Sequence, residues 1–124
     1  MIQTIDHVQV AMPAGEEKAA REFYGNLLGL LELEKPDALK SRAGVWFRLG
    51  DGRQLHLGVE QKFRPSRKAH PCFVVDGEDF EGLKGKLAEA GYEVHEDQLN
   101  PPVMRFYTSD AFGNRLEFSD RMSE

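Results

Sequence analysis

The feature that most limits how this 124-residue chain can fold is an internal repeat. The segment GRQLHL (52–57) aligns with GNRLEF (113–118), which sets Gly52 against Gly113, Leu55 against Leu116, His56 against Glu117 and Leu57 against Phe118. Upstream, DHVQV (6–10) aligns with AHPCF (69–73) and sets His7 against His70. The offsets, 117 − 56 = 61 and 70 − 7 = 63, are nearly equal, so both pairs belong to one alignment. Such a chain folds as two copies of one supersecondary unit.

Each copy has the same order of periodicities. Residues 4–12 alternate as a half-buried strand, with Val8 and Val10 on one face and His7 and Gln9 on the other. Residues 16–28 repeat apolar side chains at helical spacing (Ala19, Phe23, Leu27; Ala20, Tyr24, Leu28), with Gly29 as a stop. A short strand at 30–34 and a polar connection at 35–42 follow, then strands at 44–49 and 53–60 joined through Gly-Asp-Gly. The second copy reads strand 70–75, helix 78–90, strand 92–96, a break at Pro101-Pro102, and strands 103–108 and 114–119. The expected fold class is α+β. Two tandem βαβββ modules, about 1–60 and 69–120 within a single domain 1–124, would form a cup-shaped, barrel-like mixed sheet with helices outside.

Alternation then fixes which side chains face away from the helices. If Val8, Val10, Phe47, Leu49, Leu55, Leu57, Phe73, Val75, Phe106, Leu116 and Phe118 lie under the helices, the other face carries His7, Gln9, Trp46, Arg48, Gln54, His56, His70, Cys72, Arg105, Tyr107, Arg115 and Glu117. Three of the four histidines thus fall at equivalent places in a duplicated unit; the fourth, His95, reads as surface. A pseudo-twofold between modules would make His7, His56, His70 and Glu117 converge. Three imidazoles and a carboxylate suit Zn²⁺, Ni²⁺, Fe²⁺, Co²⁺ or Mn²⁺ and are poor ligands for Ca²⁺ or Mg²⁺. Each alone has a plainer reading: a strand histidine is usually hydrogen-bonded or superficial, and Glu117 could be a solvated strand face. Their clustering at repeat-equivalent positions supports ligation, with Glu117 doubling as a catalytic base. Gln9, Trp46, Arg48, Arg105 and Tyr107 are candidate substrate contacts, Arg gripping an anion and the aromatic rings stacking; packing at a dimer rim would explain them equally. Cys72 reads as an inert thiol.

Composition narrows the partners. The net charge of −5 argues against nucleic acid, and the basic run 62–68 (KFRPSRK) reads as a solvated loop. One cysteine cannot form an internal disulfide, and no secretory or membrane-spanning run is present; a cytoplasmic protein with a small-molecule substrate is expected.

Over residues 3–119 the chain resembles the vicinal oxygen chelate superfamily, which includes glyoxalase I, fosfomycin-resistance thiol transferases, extradiol dioxygenases, methylmalonyl-CoA epimerase and bleomycin-resistance proteins. The resemblance rests on IDHVQVAM (5–12), REFYGNLLGL (21–30), AHPCFVVDG (69–77) and FYTSDAFGNRLEF (106–118). It implies a divalent metal held by the first strand of each module and the last strand of the second, positions filled here by His7, His70 and Glu117. The fourth position is Glu in bacterial-type glyoxalase I and Gln in the epimerase; here it is His56, which leaves one carboxylate where glyoxalase I has two. The Asp110-Ala-Phe-Gly113 turn lacks the usual Pro. The resemblance further implies a homodimer and a lyase, isomerase or transferase acting on a small oxygenated substrate. The alternatives are a metal-free sequestering protein like the bleomycin-resistance proteins, or an extradiol-type dioxygenase.

Overall fold

A computed structural model describes residues 1–97 and 103–123. The expected break at Pro101-Pro102 lies outside the described residues. The chain forms two compact units, Met1–Pro65 and Ser66–Glu124. The first holds β1 (His7–Met12), α1 (Glu17–Ala20, continuing in a wider winding over Arg21–Leu27), β2 (Leu31–Leu33), β3 (Val45–Arg48) and β4 (Gln54–Val59). The second holds β5 (Cys72–Val74), α2 (Phe80–Glu89), β6 (His95–Asp97), β7 (Arg105–Ser109) and β8 (Arg115–Ser119). The sheet orders are β1-β4-β3-β2 and β5-β8-β7-β6. In both, the first strand runs parallel to the last and the other pairings are antiparallel. Identical topology in the two units is the repeat read from the sequence, and the fold is α+β with two tandem βαβββ modules.

The apolar faces are covered as the alternation requires. Val10, Phe47, Leu55 and Leu57 are buried in the first unit, and Phe106, Leu116 and Phe118 in the second. The first helix changes its winding part-way: the Leu28 amide donates to the Phe23 carbonyl at 2.9 Å, five residues back. Phe23 and Tyr24 are both buried there, and Tyr24 meets Phe47 at 5.8 Å between ring centroids. In the second unit Phe80 of α2 sets its edge against Phe106 at 5.2 Å, and Phe106 stacks on Phe118 at 5.0 Å. Gly44 enters β3 at φ +105°, where an added Cβ would lie 2.2 Å from the Leu57 carbonyl oxygen, so no other residue fits.

Several elements differ from their expected bounds. Residues 4–6 stay outside β1, and Val8, expected beneath the helix, is 38 % exposed near the start of this edge strand. The strand expected at 92–96 runs instead over His95–Asp97. Residues 91 and 92 close α2, with Gly91 at φ +93° and the Tyr92 amide donating to the Leu87 carbonyl at 3.0 Å. His70 and Pro71 precede β5. Among the described residues no helix is long and apolar enough to cross a membrane.

Candidate functional site

The first unit gathers its polar side chains in register across the sheet. Gln9 pairs with His56 and His56 with Trp46, while His7 pairs with Gln54 and Gln54 with Arg48. His56 is buried between two rings: it stacks on Trp46 at 3.8 Å with parallel planes and on His7 at 4.3 Å with planes 18° apart. Its Nε2 lies 2.8 Å from Gln54 Oε1, an acceptor, so this nitrogen carries the proton and Nδ1 keeps its lone pair. Burial, helped by nearby His7, lowers the pKa of His56 and favours the neutral ring that a metal ligand must be. His7 donates Nδ1–H to Asp6 at 2.9 Å, leaving Nε2 available. Gln9 is exposed, and its amide lies over Gly58, where an added Cβ would come within 2.7 Å of it. Arg48 is exposed. Trp46 also borders an open cleft of about 550 Å³ lined with charged groups such as Glu17, Arg21, Lys35 and Arg42.

In the second unit Glu117 is buried at the centre of a polar cluster. Its Oε1 lies 2.8 Å from His70 Nε2, and its Oε2 accepts from Arg105 Nη1 at 2.7 Å. Burial works to raise the pKa of Glu117, but the bonds from His70 and Arg105 and the charge of Arg105 outweigh it and hold the carboxyl below its ordinary value. Tyr107 pairs in register with Glu117, meets His70 edge-on at 5.7 Å and lies under the Arg115 guanidinium at 4.4 Å. Cys72 pairs in register with Glu117 on its other side and donates to Ser119 Oγ at 3.8 Å; burial pushes its thiol up, away from a reactive thiolate. His95, expected as surface, is exposed beside Glu93.

The His70–Glu117 geometry allows a test of fit to a metal. His70 Nδ1 lies 2.8 Å from the Lys68 carbonyl, which only accepts, so Nδ1 carries a proton. Nε2 and Oε1 then face each other across 2.8 Å. Two lone pairs do not approach so closely unless a cation lies between them, either a second ring proton or a metal ion bound by both. Two ligands about 2.1 Å from one ion stand about 3.0 Å apart at a right angle and about 3.4 Å at the tetrahedral angle, so the pair must open slightly to share one. One imidazole and one carboxylate are donors of the kind a first-row metal takes. The His7–His56 pair needs a rearrangement: a ligated ion lies in the plane of its imidazole, and near-parallel rings 4.3 Å apart have no common ion nearby. His7, with 47 % of its side chain exposed, can turn at small packing cost. Among the described residues no three or more His, Cys, Asp and Glu side chains form a group able to hold a metal.

Comparison with known proteins follows the same pattern. The family model of the Glyoxalase/Bleomycin resistance protein/Dioxygenase superfamily matches residues 4–118. The chain belongs to this superfamily. A solved glyoxalase family protein from Bacillus anthracis is 50 % identical, with a TM-score of 0.88 over 96 % of this chain and 95 % of that one. A glyoxalase/dioxygenase from Nostoc punctiforme shares the fold at 23 % identity and TM-score 0.80, covering 94 % and 90 % of the two chains. A lactoylglutathione lyase from Agrobacterium tumefaciens does so at 20 % identity and TM-score 0.74, covering 96 % and 94 %. No curated protein matches the chain. The partners of the candidate histidines are residues to which the sequence reading gave no role, although it placed Gln54 on the polar face. Asp6, Gln54 and the Lys68 carbonyl each fix the tautomer of one candidate histidine. Gln54 stands two residues from His56 on the same strand face, but its residue type alone does not mark it as the partner of that ring.

Proposed function

We propose that this superfamily member is a metal-dependent enzyme of the glyoxalase type, a lyase, isomerase or transferase whose small oxygenated substrate chelates the ion. The observation that supports this best is the His70–Glu117 pair, set near ligand spacing with His70 oriented by a backbone carbonyl. His7, His56, His70 and Glu117 are the proposed ligands. A bound Zn²⁺, Ni²⁺, Fe²⁺, Co²⁺ or Mn²⁺ would polarise a substrate oxygen and acidify groups attached to it. The rest falls to the chain. His56 arrives neutral, held by Gln54 and by the rings on either side. Glu117 supplies the anionic charge; its oxygens already accept from His70 and Arg105, and a proton taken up as base would go to a remaining lone pair. Gln9, Trp46, Arg48 and Tyr107 supply the polar and stacking contacts that orient substrate. A single cysteine fits a cytoplasmic setting, and the superfamily's tendency to pair leads us to propose a homodimer.

Metal analysis after chelator-free purification, with Ni²⁺ and Zn²⁺ titration of the wild type and of His70→Asn, tests the reading. Stoichiometric metal that His70→Asn fails to retain supports it; a wild type that binds neither ion sinks it. One observation favours a second reading, a metal-free sequestering protein: Arg105 already neutralises Glu117 without any ion. That reading predicts ligand binding unaffected by chelator.

A further inference from the structure

We propose that Arg105 is a positioning residue for the ligand Glu117, a clamp on one carboxylate oxygen that leaves the other to face the metal. Three observations carry this beyond the substrate contact suggested by its place on the sheet. The first is where its bonds go. Nη1 donates to Glu117 Oε2 at 2.7 Å, Nη2 donates to Ser123 Oγ at 3.1 Å, and Nε is buried with no hydrogen-bond partner among the described residues. With 14 % of its side chain exposed, the guanidinium is turned mainly inward, toward Glu117 rather than toward solvent.

The second observation is the division of labour on the carboxylate. Arg105 takes Oε2, and Oε1 is the atom 2.8 Å from His70 Nε2. A carboxylate held this way ligates through one oxygen only and cannot swing to a two-oxygen mode without losing the charge-assisted bond.

The third is where the duplication breaks. Tyr107 pairs with Glu117 as Trp46 pairs with His56, so Arg105, two residues before Tyr107, stands where the first unit has Gly44. At Gly44 a side chain is excluded, because its Cβ would meet the Leu57 carbonyl at 2.2 Å. The unit whose last-strand ligand is a neutral imidazole has no side chain there. The unit whose ligand is an anion has a cation.

This inference rests on the metal reading, and the experiment separates the two. Co²⁺ alone is the probe, titrated against a competing chromophoric chelator, with the visible absorption of the bound ion recorded for wild type, Arg105→Gln and Arg105→Lys. We expect the wild type to bind Co²⁺ and Arg105→Gln to bind it about 10- to 100-fold more weakly, the usual penalty for losing the partner of a ligand. The Co²⁺ spectrum of the glutamine variant should change as Glu117 turns to a two-oxygen mode. Arg105→Lys, which keeps the charge but not the fork, should recover part of the affinity. Circular dichroism reports whether Arg105→Gln folds; if it does not, the lysine variant decides, through intermediate affinity and an altered spectrum. Wild-type affinity and spectrum in the folded variants overturn the clamp and leave the metal reading standing. A wild type that binds no Co²⁺ overturns both.

Discussion

Exchanging Glu117 for Gln preserves shape and removes charge, so its effect on the metal-free protein measures what the buried pair contributes. The side chain is 9 % exposed and its two oxygens serve two different donors, His70 Nε2 at 2.8 Å and Arg105 Nη1 at 2.7 Å. Glutamine has one oxygen and one amide nitrogen. Turned one way, its NH₂ meets the guanidinium, donor against donor. Turned the other way, it suits only a His70 ring without a proton on Nε2. Either orientation loses at least one charge-assisted bond and leaves Arg105 without its counter-charge. Breaking a buried pair by removing one partner costs about 3–5 kcal/mol; one hydrogen bond survives here, so we expect about 2–4 kcal/mol. For a domain of this size that corresponds to a fall in Tm on the order of 10 °C.

The pH dependence gives a sharper signature. The folded carboxyl lies below its ordinary value of 4.5, so on acidification the unfolded chain takes the proton first. The stability contributed by Glu117 is complete above the unfolded value. It drains away as pH falls from about 4.5 through the lower folded value. Thermal unfolding in chelator, followed by circular dichroism at pH 7 and then stepwise down to acid, should show Glu117→Gln less stable at neutral pH. It should also be less sensitive to acid over that window. A variant melting within about 2 °C of wild type at pH 7, with the same acid slope, would refute the reasoning.

Three further outcomes follow from the same structure. His56 has a lowered pKa, so protonation favours the unfolded chain; wild type should lose stability as pH falls below about 6.5, and His56→Gln should lose less over that range, by thermal melts across pH 5–8. Phe106→Ala removes a fully buried ring between Phe80 and Phe118 and should cost about 3–5 kcal/mol in urea denaturation. Gly44→Ala forces a Cβ against the Leu57 carbonyl at positive φ and should lower the urea midpoint by an amount equivalent to about 2 kcal/mol or more.

The fold was legible because duplication repeats its signals. Two amphipathic helices, two closing hairpins and two alternating first strands each confirm the other's assignment. Their ends were less legible, because ends are set by local hydrogen bonds that hydropathy does not record. The strand expected at 92 begins at 95 because Gly91 and Tyr92 are used to close α2. The site was legible to a different depth. Alternation put His56 and Glu117 on the polar face, and both pair in register with other residues of that face, His56 with Gln9 and Trp46, Glu117 with Cys72 and Tyr107. What alternation cannot supply is orientation. Whether a histidine presents Nδ1 or Nε2 depends on which nitrogen finds an acceptor, and those acceptors are of three kinds here: the Asp6 carboxylate, the Gln54 amide and the Lys68 backbone. Only the first two are visible as residue types, and neither is distinguishable in sequence from an ordinary strand residue. Arg105 shows the same limit from the other direction. On the sheet it has the address of a substrate contact; once placed, its guanidinium is bonded to Glu117 and Ser123, which no residue pattern announces. A residue's face can be read from period two. Its role depends on which of its atoms are already taken.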